Sequence, residues 1–244
     1  MNKLLKRILI ITGIIIGVLV LAYIGLYLKI KSETSGIASM ESGKIVDNIY
    51  VIGDGFTNTY FIKDGDEYIA IDCGNDLTKV KEEMKNSGIN PNDVTALFLT
   101  HTDGDHVAAL SLFNNARLYM SKDEEEMING KKSKFLWFGN SIPRKDYVLL
   151  EDGCVLLLGN LIIEGILLPG HTSGSMAYLI NKKYLFTGDI LSLNDGKIAP
   201  IPTFFDMDPV QAAESREIIR ELTDIEYIFT AHWGYIDDFM KAIE

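Results

Sequence analysis

Four apolar, strand-like runs in this chain each stop at a histidine or an aspartate. "VTALFLT" leads to His101, "GILLPG" to His171, "KYLFTG" to Asp189 and "IEYIFTA" to His232. His106 follows His101 within one loop, so each of the four histidines in 244 residues lies just beyond such a run. If these strands lie side by side, their ends form one rim, and polar residues carried on loops beyond a rigid scaffold converge there. The pattern therefore asks for a layered fold whose strands share an edge.

The intervening segments are compatible with layers. "KIVDNIYVIGDGFTNTYFIKDGDEYIAIDCG", from Lys44, reads as an antiparallel meander rich in Ile, Val and Tyr, with turn signals at Asp54-Gly55 and Asp64-Gly65. "NDLTKVKEEMKNSG" predicts a helix capped by Asn75 or Asp76, with Leu77, Val80 and Met84 on one face and Gly88 as its stop. "CVLLLGNLIIEGILLPGH" predicts two strands about Gly159-Asn160, and "AYLINKKYLFTGD" another pair turning at residues 181–183. "DPVQAAESREIIRELTD" predicts a helix with Asp208 as cap, Pro209 in the first turn and Gln211 at the reciprocal capping position. No internal repeat is visible.

The N-terminal end has a different solvent in view. Residues 8–28, "ILIITGIIIGVLVLAYIGLYL", are an uncharged apolar run, close to the roughly 20 residues that a helix needs to cross a bilayer. No short apolar core with a small-residue cleavage site follows, so the reading is an uncleaved transmembrane anchor. The expected layout is a basic N-terminus at 1–7, the anchor at 8–28, a polar linker at 29–43 and one globular domain at 44–244. Lys3, Lys6 and Arg7 precede the apolar run and Lys29 and Lys31 follow it. By the tendency of positive charge to stay inside, this one-charge difference puts the globular domain outside the cytoplasm.

Beyond those five residues the chain carries 18 basic and 34 acidic side chains, a net of −16. Such a field repels polyanions, which disfavours extended nucleic acid as a partner. Cys73 and Cys154 are read as small apolar residues on strands rather than as a bridge. Two aromatic segments stand out as pocket candidates. Residues 131–145, "KKSKFLWFGNSIPRK", form a basic and aromatic island suited to an anionic membrane surface, to a lid, or to packing of Phe135, Trp137 and Phe138 against the core. Phe204 and Phe205 lie in "IAPIPTFFDMD", where they would wall a substrate or anchor the core.

Neutral imidazole and carboxylate are the ordinary ligands of catalytic divalent ions. His101, Asp103, Asp105, His106, His171, Asp189 and His232 supply seven such groups, enough for two ions sharing a bridging carboxylate. One histidine after a strand is an ordinary structural feature, and Asp-Gly-Asp an ordinary turn. Four histidines placed alike are not accounted for in that way.

These residues resemble a known family. "THTDGDH" is similar to the His-x-His-x-Asp-His signature of the metallo-β-lactamase fold, and "PGHTSGS" to that superfamily's Pro-Gly-His-Thr-x-Gly-Ser loop. "FTGD" and "TAHWG" match its later aspartate and final histidine, and "NTYFI" and "IDCG" its opening strands. The resemblance spans Lys44 to His232. It implies an α/β (α+β) fold, the αβ/βα four-layer sandwich of two mixed sheets flanked by helices, here preceded by the transmembrane helix. It also implies that His101, Asp103 and His171 hold one divalent ion and Asp105, His106 and His232 the other, with Asp189 between them.

Position 103 departs from the family, which usually has histidine there. A carboxylate adds negative charge and a harder donor. The first site would bind its ion through oxygen, or preference would move from zinc toward manganese or iron, or the first site would be weak or empty. Membrane-associated DNA-uptake proteins of this fold carry His-x-Asp-x-Asp-His, and flavodiiron oxygen reductases carry glutamate at this place.

The expected activity is that of a metallo-hydrolase with two divalent ions, zinc first and manganese or iron as alternatives. A hydroxide bound by the ions would attack a small-molecule ester, thioester, lactone or amide, with Asp105 as a proton acceptor. The "PGHTSGS" loop resembles the glyoxalase-like branch more than the antibiotic-degrading enzymes. The alternatives are phosphodiester cleavage, iron-based redox chemistry, and a binding module that keeps the fold without catalysis.

Overall fold

A computed structural model describes residues 2–34, 36–134, 139–194, 196–199 and 201–243. Phe135, Trp137 and Phe138, singled out above, lie outside the described residues. The chain divides into two units, residues 1–37 and 38–244.

The first unit is α1 (Lys3–Glu33), with a mean hydropathy of 2.8 over its most apolar stretch and no buried side chain. It is long and apolar enough to cross a membrane, a property that signal sequences share. The helix runs past residue 28 to Glu33, through part of the stretch expected as linker, because neither Gly nor Pro interrupts residues 29–34. The far end of that stretch is bonded to the globular unit. Met40 N–H donates to Asn58 Oδ1 at 2.7 Å, and the hydroxyls of Ser39 and Ser42 accept from Gly55 N–H at 2.8 Å and Gly53 N–H at 3.1 Å.

In the globular unit, β1 (Gly43–Val46), β2 (Ile49–Gly53), β3 (Asn58–Asp64) and β4 (Glu67–Ile71) form the expected antiparallel meander. α2 (Leu77–Asn86) then crosses over, so that β5 (Val94–Phe98) pairs parallel with β4. Asp76 is the helix cap, its carboxylate accepting from Thr78 and Lys79 N–H. Val80 and Met84 are fully buried beneath the helix, each worth about 1.5–3 kcal/mol relative to exposure. After the short α3 (Gly104–Val107), β6 (Arg117–Ser121), α4 (Glu125–Ile128) and β7 (Tyr147–Leu150) complete a seven-stranded sheet in chain order.

The second sheet is built from β8 (Val155–Leu158), β9 (Leu161–Leu167), β10 (Met176–Ile180), β11 (Tyr184–Phe186), β14 (Tyr227–Phe229) and β15 (Tyr235–Ile236). A two-stranded ribbon, β12 (Ser192–Asn194) and β13 (Lys197–Ala199), and α5 (Pro209–Glu221) lie between β11 and β14 in the chain, and α6 (Phe239–Ile243) ends it. Asp208 caps α5 through Val210 and Gln211 N–H. The reciprocal bond expected from Gln211 is supplanted, because Asp208 N–H donates to Gly170 O at 2.8 Å. That bond ties the helix start to the His171 loop.

Period-two alternation sorts the side chains into layers. Tyr60 and Ile62 of β3 meet Met176, Tyr178 and Ile180 of β10 in a core between the sheets. Phe61 of β3 faces outward to Val80 and Met84, and Ala177 and Leu179 of β10 face outward to Ala212 and Ile219 of α5. The result is the expected four-layer sandwich with helices outside two mixed sheets. Cys73 belongs to the outer core of the first sheet while Cys154 packs against the core between the sheets, and both are free thiols. Phe204 and Phe205 are half-buried in a 3-10 turn, edge to face at 5.4 Å.

Candidate metal centre

β4 is parallel to β5, β11 is parallel to β14, and β9 runs the same way as β11 across the antiparallel β10. The carboxyl ends of these strands carry Asp72, His101, His171, Asp189 and His232. Backbone bonds between the sheets fix the rim. Met176 N–H donates to Thr100 O at 2.9 Å, beside His101, and Asn58 N–H donates to Ala231 O at 2.7 Å, beside His232. Two glycines let the loops approach. Gly188 has φ +56, and a Cβ there would lie 2.5 Å from Thr100 Oγ1; at Gly170, φ +136, it would lie 2.2 Å from the Ala212 nitrogen.

All seven predicted side chains converge, in two groups. In the first, Asp103 Oδ2 lies 3.6 Å from His101 Nε2 and 3.3 Å from His171 Nε2. In the second, His232 Nε2 lies 3.4 Å from Asp105 Oδ2 and 3.3 Å from Asp189 Oδ1, and His106 Nε2 lies 3.7 Å and 3.4 Å from the same two oxygens. Asp189 turns its other oxygen to the first group, with Oδ2 3.5 Å from His171 Nε2. The imidazoles are buried, while Asp103 and Asp105 keep 18% and 24% of their side-chain surface open, so solvent reaches the centre past the carboxylates.

The fit for a cation can be judged from unsatisfied atoms. His101 Nε2, His106 Nε2 and Asp189 Oδ1 are buried and have no hydrogen-bond partner. Unpartnered buried polar atoms are costly and uncommon, and here they face one another as a donor set of nitrogen and oxygen suited to a divalent ion. Three of the four imidazoles are hydrogen-bonded from behind, as metal-binding imidazoles usually are. His106 Nδ1 lies 2.9 Å from Asp72 Oδ2, His232 Nδ1 donates to Phe56 O at 2.9 Å, and His101 Nδ1 lies 3.0 Å from the Thr100 hydroxyl. His171 Nδ1 faces Asp206 Oδ1 at 3.5 Å, and Asp206 Oδ2 in turn faces Arg216 Nη1 at 3.7 Å.

Charge is held in alternation. Burial, helped by His106, keeps His101 below its ordinary range and neutral. Burial also pulls His106 and His232 down, but carboxylates outweigh it: Asp189, Asp72 and Asp105 hold His106 well above its usual range, and Asp189 and Asp105 push His232 up to about 10. Burial raises Asp103 and Asp189, yet the facing imidazoles, joined at Asp103 by Lys134, hold both carboxyls well below the ordinary value. Without an ion, the second group is a store of protons that an ion would have to displace.

Five further residues, none of them marked as a ligand by the sequence patterns, support the site. Asp72, at φ +59, accepts from Thr100 N–H and its hydroxyl, both at 2.8 Å, as well as facing His106. Glu124 accepts from Thr102 N–H at 2.7 Å and from the Thr102 and Thr172 hydroxyls at 2.6 Å, joining the two histidine loops. Asp206 is buried behind His171. Lys134 Nζ donates to Asp103 Oδ2 at 2.6 Å and to His171 Nε2 at 2.8 Å, and Asn140 Nδ2 donates to Asp103 Oδ1 at 2.9 Å. Lys134 and Asn140 come from the basic segment noted in the sequence, but nothing there pointed them at the centre.

Known proteins resemble this chain in sequence and in fold. A solved β-lactamase from Chitinophaga pinensis superposes with a TM-score of 0.63 at 25% identity, covering 80% of this chain and 79% of its own. A probable polyketide biosynthesis zinc-dependent hydrolase, BaeB, from Bacillus velezensis is 32% identical over 124 residues, 50% of this chain and 48% of the relative. An atrochrysone carboxyl ACP thioesterase from Pseudocercospora fijiensis is 23% identical over 158 residues, 61% of this chain and 41% of the relative. The chain thus spans about half the length, or less, of these two relatives. The model of the metallo-beta-lactamase superfamily matches residues 52–232, from β2 through the last histidine. The chain belongs to the metallo-beta-lactamase superfamily.

Proposed function

We propose that this protein hydrolyses a small-molecule carbonyl substrate, an ester, thioester, lactone or amide, with a divalent cation held among the seven converging side chains. The observation that carries the reading is the pair of buried, unpartnered atoms His106 Nε2 and Asp189 Oδ1, aimed at each other 3.4 Å apart beside Asp105 and His232. Asp105, His106, Asp189 and His232 would hold the ion. A bound divalent ion supplies a water acidic enough to attack at neutral pH and polarises a carbonyl oxygen. Asp105, the most exposed of the four, would accept a proton from the solvent side, a role its openness supports. The net charge of −16 beyond the apolar helix supports a small substrate over a long polyanion.

Thioesters are the first class to test, since one relative is a thioesterase and another a zinc-dependent hydrolase. The full chain, purified in detergent, is stripped with chelator and reloaded with zinc, manganese or iron. Metal-restored cleavage of an acyl thioester or carboxylic ester supports the reading. Metal binding with no turnover on any carbonyl class, alongside cleavage of a phosphodiester, refutes it.

In the same reading α1 is a membrane anchor that holds the domain outside the cytoplasm. External protease should then remove the domain from intact cells, and full protection would reverse the orientation.

A further inference from the structure

The first group of side chains differs from the second in one respect: two of its three members, Asp103 and His171, already have their ligand atoms engaged. Lys134 Nζ donates to both Asp103 Oδ2 and His171 Nε2, at 2.6 and 2.8 Å, and Asn140 Nδ2 takes Asp103 Oδ1 at 2.9 Å. We infer that the Lys134 ammonium is the resident cation of this group, and that the centre takes a single metal ion, at Asp105, His106, Asp189 and His232. The inference rests on the metal-dependent reading above.

The argument is one of lone pairs and charge. A neutral imidazole has one acceptor nitrogen. The Lys134 ammonium can only donate, so at 2.8 Å the Nε2 of His171 is that acceptor and its lone pair points at Lys134. It cannot serve an N–H donor and a metal ion together. An ion would sit about 2.0–2.2 Å from the same nitrogen and carboxylate, within a space where a second cation is strongly repelled. The ammonium, for its part, is poorly placed to leave: the Lys134 side chain is 7% exposed, and Asp103 is its only carboxylate partner among the described residues. A buried charge stripped of its partner is costly.

This gives position 103 a physical role. Histidine there would offer neither negative charge nor a carboxylate for an ammonium, so the departure from the family pattern and the inward lysine form one device. His101 Nε2, the remaining atom of the group, is unpartnered and lies 3.6 Å from Asp103 Oδ2.

The test is metal stoichiometry of the full chain in detergent, loaded with excess zinc, desalted and measured by elemental analysis. The expected result is one zinc per wild-type chain, one in Lys134→Arg, which keeps a cation, and two in Lys134→Met, which removes the charge but keeps the length. Labelling with an amine-reactive reagent provides a second readout, in which Lys134 should stay unreactive before and after loading. Two zinc ions in the wild type, with Lys134 becoming reactive on loading, would overturn the inference and leave the hydrolase reading intact. One ion in Lys134→Met, with an unchanged melting temperature, would also overturn it. No zinc in any of the three proteins would sink the metal-dependent reading itself.

Discussion

Asp189 Oδ1 and His106 Nε2 face each other 3.4 Å apart, and neither has a hydrogen-bond partner. Asp189 also faces His232 Nε2 at 3.3 Å through the same oxygen, so removing its charge strips two imidazoles at once. Asp189→Asn should lower zinc affinity, read by chelator competition, by more than the roughly 10–100-fold that loss of an outer-shell partner costs. A change smaller than about tenfold would argue that this carboxylate does not touch the ion.

Asp72 acts one bond further out. Its Oδ2 lies 2.9 Å from His106 Nδ1, which keeps Nε2 free to face the centre. In Asp72→Asn the amide can still accept from Thr100 N–H, but an NH2 placed toward His106 would oppose that tautomer. Zinc affinity should fall about 10–100-fold while the far-UV spectrum is unchanged. Loss of fold with unchanged affinity in the surviving fraction would assign Asp72 to the scaffold alone.

Proton competition sets the pH dependence. In the metal-free protein His106 is held well above its ordinary range and His232 at about 10, so both carry protons near neutrality. An ion must displace them, so zinc affinity should rise as pH rises from neutrality toward about 10, the folded value of His232. Metal-free stability runs the other way. A histidine raised by its folded partners stabilises fully below its unfolded value of about 6.5, and that contribution is lost as pH rises through the folded value, about 10 at His232. The melting temperature of the metal-free chain should therefore decline from pH 7 to 10, while the gap to the zinc-loaded chain widens. A parallel pH response of the two forms would contradict this.

What was legible in the sequence follows from what is local. The seven converging side chains lie three to eight residues beyond strand ends, and strand runs and the residues that follow them are visible in one dimension. The alternation that sorts Tyr60 and Ile62 from Phe61 is likewise a local signal. The supporting residues are different. Glu124 lies in "SKDEEEM" among acids that look alike, and it is chosen by threonines 22 and 48 residues away. Lys134 is one of three lysines in "KKSK", and only its approach to Asp103 separates it from a solvated charge. Helix α1 continues past residue 28 to Glu33 because charge at Lys29 and Lys31 ends an apolar span without ending a helix.

Glu124 offers the test of how the two histidine loops are held. Its buried carboxylate accepts from the backbone and hydroxyl of Thr102, next to His101, and from the hydroxyl of Thr172, next to His171. The joint works only with an acceptor at both oxygens. Burial raises the carboxyl while the three donors pull it back. Glu124→Ala leaves the Thr102 N–H without its partner, and each orphaned buried donor costs about 1–3 kcal/mol. The hydroxyls can turn elsewhere, Thr172 to Ser175 Oγ at 2.9 Å, so a loss of about 3 kcal/mol is expected rather than three full penalties. Glu124→Gln keeps one acceptor and should cost about 1 kcal/mol. Denaturant unfolding of the metal-free chain measures both, and zinc should recover part of the loss in each variant because it binds the folded state only. Equal stability of Glu124→Ala and the wild type would show that the loops are positioned by the sheets without this carboxylate.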